Sequence, residues 1–145
     1  MINESLYSCN SVEWETPQNL FDQLNNEFHF TIDVCATSEN AKCKRYYTKN
    51  ENGLIQDWQN EIVWCNPPYG REINKWVEKA FNESAKGCVV VLLIPARTDT
   101  KYFHNFIYNI HEVRFIKGRL HFNNSDQPAP FPSMIVIMKQ KGVKL

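Results

Sequence analysis

The chain has 145 residues, and 16 lysines and arginines balance 16 aspartates and glutamates, so its formal net charge is zero. This balance excludes a basic field over the whole surface, and any contact with nucleic acid has to be local or assisted by a partner. The hydrophobic share of 43% is typical of a globular chain with a core. We expect one domain over residues 1–145, with residues 1–13 flexible.

The five cysteines form no Cys-x-x-Cys pair, and their spacing fits no standard metal site, so the sequence predicts no bound metal. It also shows no signal peptide and no apolar run long enough for a bilayer, which predicts no membrane partner. An odd number of cysteines without a disulfide pattern favours a reducing cytoplasm.

Thr16 and Pro17 predict the start of a first helix, with Thr16 as N-cap and Pro17 as the first helical residue. Apolar residues then mark one face of this helix: Leu20, Phe21 and Leu24. An alternating pattern predicts a strand that ends near Asp33: Phe28, Phe30 and Ile32. Residues 53–58 are consistent with a short strand or a turn, and residues 62–65 with a buried strand.

The second half of the chain alternates in the same way. After Gly70, apolar residues at helical spacing predict an amphipathic helix that stops at Gly87: Ile73, Trp76, Val77, Ala80, Phe81 and Ala85. Residues 88–94 predict a strand covered on both faces. A second helix over residues 102–110, a strand at residues 113–115 extended by Leu120 and Phe122, and a last strand at residues 134–138 follow.

This alternation predicts an α/β fold with a mostly parallel sheet and an antiparallel C-terminal strand. In such sheets, ligands bind beyond the carboxyl ends of the strands. Asp33, Asn66 and Arg97 each follow a predicted strand closely, and we expect them to converge on that edge.

The residues Asn66, Pro67, Pro68 and Tyr69 lie where the strand at 62–65 passes to the helix. The amino group of a purine is a poor nucleophile because its lone pair is delocalised into the ring. The Asn66 side-chain oxygen and the Pro67 carbonyl would accept the amine hydrogens, localise that lone pair and stabilise the growing positive charge. The two prolines limit backbone freedom, and Tyr69 offers an aromatic face for stacking.

Six segments in this order resemble one family, the phage-type DNA N6-adenine methyltransferases of the Dam-like group. They are Trp14–Pro17, Phe30–Ala36, Glu39–Cys43, Gly53–Trp58, Val63–Gly70 and Leu93–Thr100. The resemblance implies a reduced, single-domain Rossmann-like methyltransferase fold, S-adenosylmethionine as methyl donor, adenine in DNA as acceptor and a phage or prophage origin in a bacterial host.

The resemblance also implies roles for individual residues. Asn66, Pro67, Pro68 and Tyr69 match the catalytic motif. The donor-binding residues would be Thr16, Pro17, Asp33, Ala36, Asp57 and Trp58, with Thr16-Pro17 near the methionine end of the donor and Asp57-Trp58 at its adenine. A Gly-rich donor loop is absent, and residues 33–37 stand in its place, where backbone approach to the donor would rely on small Ala36. Glu39 and Glu51 are weak candidates for the carboxylate that grips the ribose.

Four further residues are candidates for contact with the substrate: Arg97, Asp99, Lys117 and Arg119. The loop at residues 97–100 would line the pocket or touch a phosphate, and the alternative is a helix cap formed by Thr98 or Asp99. No separate target-recognition domain is visible in the sequence. We therefore keep two candidate partners for target recognition: a second copy of the chain and a helper protein.

Two other functions fit the same residues. Release-factor glutamine methyltransferases and some RNA guanine methyltransferases also carry Asn-Pro-Pro-Tyr, because any planar amino group poses the same chemical problem. A non-catalytic remnant of the fold that binds DNA or a partner protein is the other alternative, and the shortened donor-binding region favours it.

Overall fold

The computed structural model describes residues 14–141, so the predicted flexibility of residues 1–13 lies outside the described part. It has an α/β architecture with one five-stranded sheet. The longer helices are α1 (Gln18–Phe28) and α2 (Ile73–Ala85). The strands are β1 (Ile32–Asp33), β2 (Ile62–Cys65), β3 (Val89–Pro95), β4 (Glu112–Phe115) and β5 (Ser133–Met138).

The sheet has the strand order β1-β2-β3-β5-β4. Strands β1, β2 and β3 are parallel, and β5 lies antiparallel between β3 and β4. The predicted mostly parallel sheet with an antiparallel C-terminal strand is therefore confirmed. Every residue of β3 and β5 is buried, because both faces of the sheet centre are covered.

The parallel strands end at one common edge, since Asp33 pairs with Trp64 and Cys65 pairs with Leu92. The loops that follow β1, β2 and β3 therefore begin side by side. Strand β5 starts at the same edge, where Ser133 pairs with Pro95. This edge gathers the segments that the sequence predicted to converge.

The start of the chain differs from the prediction in two places. Helix α1 begins at Gln18 with Pro17 as its N-cap and without a side-chain cap, so Thr16 is not the cap. Its hydroxyl instead accepts a hydrogen bond from Asn66. Phe28 belongs to α1 rather than to a strand, because His29 ends the helix in a left-handed conformation with φ of 59°.

The region after β3 also differs. The predicted second helix is reduced to a five-residue π-helix at Phe103–Ile107. The predicted strand extension at Leu120 and Phe122 is a loop with a short 3-10 turn, Phe122–Asn124. Asn123 interrupts that turn in a left-handed conformation, and its N–H donates to the Glu15 carbonyl instead of to a strand.

A buried carboxylate, Glu83, ties α2 to the segment before β2. It accepts hydrogen bonds from the Trp58 N–H at 2.9 Å, from Lys79 Nζ at 3.0 Å and from Lys86 Nζ at 3.2 Å. Burial opposes its ionisation, but these donors outweigh burial and lower the pKa of Glu83. The 3-10 turn Gly53–Ile55 is thereby held against α2, since Trp58 Nε1 donates to the Gly53 carbonyl.

We predict that Glu83→Ala lowers the free energy of unfolding by about 3 kcal/mol, because it leaves the buried Trp58 N–H without its acceptor and removes the carboxylate that pairs with Lys79 and Lys86. Urea denaturation at pH 7 measures this difference. The matched control is Glu78→Ala, an exposed position on the same helix, with an expected change within about 0.5 kcal/mol. Because the pKa of Glu83 lies below its usual 4.5, the stabilisation is present above pH 4.5 and is lost as the pH falls. Equal stabilities of the two variants would contradict this role.

Candidate active site

A cavity of about 740 Å³ opens at the carboxyl ends of β1 and β2. Its walls come from residues of the segments 14–16, 33–42, 48–54 and 64–68, together with two residues near the start of α2. This volume is typical of sites for small molecules and cofactors. The sheet edge that the sequence predicted as the ligand site therefore carries a cavity of suitable size.

Asp33 lies in the floor of this cavity and is only 2% exposed. Its carboxylate accepts hydrogen bonds from the Cys35 N–H at 3.2 Å and the Lys42 N–H at 3.0 Å, so that the loop 34–42 folds around it. Burial raises the pKa of Asp33 to about 6, although both backbone donors favour the charged form. The loop that stands in for a Gly-rich turn is thus organised by one carboxylate.

Two of the residues that line the cavity, Ala36 and Gly53, are small. Ala36 lines the wall, and its N–H donates to the Tyr47 carbonyl at 3.0 Å. Gly53 also lines it, and a Cβ at this position would lie 2.3 Å from the Val34 carbonyl oxygen. Only glycine fits there. Gly53 was not among the predicted site residues, although it opens one of the segments that carry the family resemblance.

The half-buried Asn66 follows β2 and also lines the cavity. Its Nδ2 donates hydrogen bonds to the Trp14 carbonyl and, at 2.9 Å, to the Thr16 hydroxyl. A backbone carbonyl can only accept, which fixes the orientation of the amide. Its Oδ1 is buried and has no hydrogen-bond partner within the described structure. An acceptor left unpaired in this way costs about 1–3 kcal/mol and favours the arrival of a donor.

Tyr69 is almost fully buried and does not line the cavity. Its hydroxyl donates to the Leu93 carbonyl at 3.0 Å, and burial raises its pKa well above 10. The Trp14 ring lies nearly parallel to the Tyr69 ring, with centroids 6.4 Å apart, and Phe122 and Phe131 contact it edge-on. Trp14 rather than Tyr69 therefore gives the cavity an aromatic wall, a role that the sequence analysis missed even though Trp14 opens its first matching segment.

The structure brings some predicted donor-binding residues to the cavity and not others. Asp33, Ala36 and the buried Thr16 line it, whereas Pro17 does not. Pro68 lies in the wall beside Asn66 and Pro67.

Asp57 and Trp58 lie outside the cavity. Trp58 is fully buried, donates through Nε1 to the Gly53 carbonyl and packs against Trp76, which does line the cavity. Asp57 is exposed, and its carboxylate accepts from the Gln59 N–H at 2.9 Å. The Trp58 N–H donates to Glu83 on α2. Trp58 therefore supports the cavity wall through its contact with Trp76 and does not line the cavity itself.

The four predicted substrate residues are exposed and lie outside the cavity lining. Arg97 and Asp99 belong to the loop after β3, in which Thr100, rather than Thr98 or Asp99, accepts the Phe103 N–H. Lys117 and Arg119 lie in the connection 116–132, which returns to the same sheet edge at the start of β5. Arg119 also donates to the Ala129 carbonyl at 3.2 Å.

The charges that line the cavity are mainly acidic. Among the residues that the structure describes, four carboxylates and two ammonium groups contribute: Glu15, Asp33, Glu39, Glu72, Lys42 and Lys49. Of the two candidates for a ribose contact, Glu39 lines the cavity, whereas Glu51 lies outside it and accepts hydrogen bonds from Thr48. The surplus of negative charge favours a cationic ligand.

Comparison with known proteins identifies a family for this chain. The family model for DNA N-6-adenine-methyltransferase (Dam) matches residues 7–143. The DNA N-6-adenine-methyltransferase of Haemophilus phage HP1 is 31% identical over 138 residues, which cover 89% of this chain and 79% of that protein. The protein of the same name from Escherichia phage T1 is 30% identical over 74% of this chain and 45% of its own length.

A third relative, the putative methyltransferase YfdM of Escherichia coli K12, is 38% identical over 64 residues, which are 39% of this chain and 70% of that protein. Within residues 14–141, no helix has the length and apolar character needed to cross a membrane. Since the family match spans nearly the whole sequence, the chain belongs to the DNA N-6-adenine-methyltransferase (Dam) family of adenine-specific DNA methyltransferases.

Proposed function

We propose that this chain is one Rossmann-like methyltransferase domain that transfers a methyl group from S-adenosylmethionine to the N6 amine of adenine in DNA. The observation that carries the proposal is the Asn66 Oδ1 atom, a buried acceptor in the cavity wall that has no hydrogen-bond partner among residues 14–141. Family membership supports the reaction and the DNA substrate.

The cavity suits the proposed donor in size and in charge. S-adenosylmethionine carries an electrophilic methyl group on a cationic sulfur, next to an ammonium and a carboxylate. The acidic lining, with Asp33 in its floor, complements a ligand of net positive charge. Asp33 and Ala36 are the residues that would hold the donor, and Glu39 is the available partner for its ribose hydroxyls.

Asn66 and Pro67 would act on the target amine. Asn66 Oδ1 accepts one amine hydrogen, and the Pro67 carbonyl accepts the other. Both oxygens stabilise positive charge on N6 as it attacks the methyl group, and they are fixed in place before the reaction starts. No strong base is required before the attack, since the methylated amine is acidic enough to release a proton to water.

Access to Asn66 Oδ1 requires a movement, because both this oxygen and the Tyr69 ring are buried. The half-buried Trp14 lies over Tyr69 and lines the cavity. We propose that Trp14 moves aside when a flipped adenine enters, and that the base then stacks on Tyr69.

The exposed residues Arg97, Asp99, Lys117 and Arg119 would contact the DNA around the flipped base. They follow β3 and β4, so they lie on the side of the sheet to which the cavity opens. The formal net charge of zero limits how strongly such a small basic group attracts DNA. A second copy or a helper protein would supply the remaining target recognition.

We predict that Asn66→Ala lowers the rate of methyl transfer at least about 100-fold and leaves the Kd for S-adenosylmethionine within about twofold, since the lost contact acts on the acceptor. Labelled methyl transfer to DNA, RNA and protein substrates measures the rate and separates the rival acceptors, and calorimetry measures the donor affinity. Asn74→Ala, an exposed position on α2, is the matched control. A wild-type rate in Asn66→Ala would refute the proposed chemistry.

We predict that Tyr69→Phe retains most of the activity and loses about 1 kcal/mol of stability, because the ring survives while the bond to the Leu93 carbonyl is lost. Tyr69→Leu keeps an apolar side chain without an aromatic face, and its kcat should fall about tenfold or more. Steady-state kinetics on variants shown to be folded by circular dichroism give the comparison. Stacking on Tyr69 is excluded if the two variants methylate DNA equally fast.

We predict that the affinity for S-adenosylmethionine rises about tenfold between pH 5 and pH 7. Asp33 has a pKa of about 6, so it is largely protonated at pH 5 and anionic at pH 7, when it attracts the cationic donor. None of the four histidines lines the cavity. Calorimetry across pH measures the effect, and Glu51→Gln should keep it. An affinity that is constant over this range would contradict the role of Asp33.

A further inference from the structure

We propose that Thr16 is a positioning residue for the reaction: its hydroxyl, together with the Trp14 carbonyl, holds the Asn66 amide with Oδ1 directed at the target amine. The inference deepens the proposed function and depends on it for its kinetic consequence. It rests on the hydrogen bonds at Asn66 Nδ2 and on the unpaired Oδ1.

Both hydrogens of Asn66 Nδ2 are used. The Trp14 carbonyl accepts one, and the Thr16 hydroxyl accepts the other at 2.9 Å. The carbonyl excludes the flipped amide, because a flip would place two acceptor oxygens against each other. The second bond, to Thr16, fixes the rotation of the amide plane. Because both N–H bonds of the planar Asn66 amide are held, its Oδ1 can point in only one direction.

The burial of Thr16 supports this role. Thr16 is 4% exposed and lies just before α1, where it caps no helix N–H. A threonine whose hydroxyl serves only its own helix would bond to the first turn. The Thr16 hydroxyl instead reaches across 50 positions of sequence to the loop after β2.

The segment that carries Trp14 and Thr16 is itself anchored. Glu15, which lies between them, donates its N–H to Asn123 Oδ1 at 2.6 Å and accepts the Asn123 N–H at 3.1 Å. Asn123 makes this reciprocal pair from a left-handed conformation with φ of 60°. Such strain persists where the surrounding contacts require it. Asn123 is therefore the distant anchor of the same arrangement.

The first test compares Thr16→Val with Thr16→Ser. Valine keeps the shape and removes the acceptor, whereas serine keeps the acceptor. We expect kcat for DNA methylation to fall about tenfold in Thr16→Val, with KM for DNA within about twofold, and to recover in Thr16→Ser. Thr31→Val removes a hydrogen-bonded hydroxyl at the opposite end of β1 and should leave kcat unchanged.

Three kinetic outcomes would overturn the proposal. The first is a wild-type kcat in Thr16→Val. The second is a Thr16→Val variant that loses only affinity for S-adenosylmethionine, which would make Thr16 a donor contact and not a positioning residue. The third is a loss of kcat that serine does not restore, because the hydroxyl would then be irrelevant.

A second readout does not depend on activity. The Asn66 side-chain NH2 signals, assigned by their loss in Asn66→Asp, should show two protons protected from hydrogen exchange in the wild type and one in Thr16→Val. If the wild type protects both protons but methylates no DNA, the proposed function fails while the arrangement of the amide stands. Equal exchange in wild type and Thr16→Val would refute the contact itself.

Asn123 provides an independent check of the anchor. Asn123→Gly tolerates the left-handed backbone but removes Oδ1, and we expect kcat to fall several-fold with unchanged affinity for S-adenosylmethionine. The matched control is Asn124→Gly, which has the same backbone conformation with φ of 55° and is exposed. Equal kcat values in the two glycine variants would show that Asn123 does not anchor the segment that carries Trp14 and Thr16.

Discussion

The hydrogen bonds at the Asn66 amide are the constraint on which the proposed site depends. They join the loop after β2 to the segment before α1, which is 50 residues away in sequence. They also leave the side-chain oxygen buried and without a hydrogen-bond partner in the described part of the chain. Folding therefore leaves an unsatisfied acceptor at the place where the proposed reaction would need one, and its cost would be recovered when a donor binds.

The sheet explains why these segments meet. Three parallel strands end at one edge, so the Asp33 loop, the Asn66 loop and the loop after β3 begin side by side. The antiparallel β5 brings the connection 116–132 to the same edge, and Asn123 within it holds Glu15. Glu83 steadies the remaining wall through Trp58 and Gly53. Contacts far from the cavity thus determine its shape.

The elements that depend on local apolar patterns and on strand direction were predicted well from the sequence. Asn66 follows β2, α2 runs to Ala85 before Gly87, and β3 and β5 are fully buried, because continuous or periodic apolar residues specify these elements. The roles of Thr16, Trp14 and Trp58 depend on contacts distant in sequence. A threonine before a proline is typical of a helix cap, and only the packed structure shows its hydroxyl bonded to Asn66. Likewise, an aromatic residue after Asp57 is consistent with a ligand contact in the sequence. In the structure, Trp58 is part of the core, where its N–H donates to Glu83.

The role of Asn66 is tested most directly by a crystal structure of the chain with S-adenosylhomocysteine and DNA that contains a target adenine. We expect a hydrogen bond of about 2.9 Å from adenine N6 to Asn66 Oδ1, with Asn66 Nδ2 still bonded to Trp14 and Thr16. An adenine bound in the cavity with its N6 amine held by other groups, and with Asn66 Oδ1 unpaired, would contradict it.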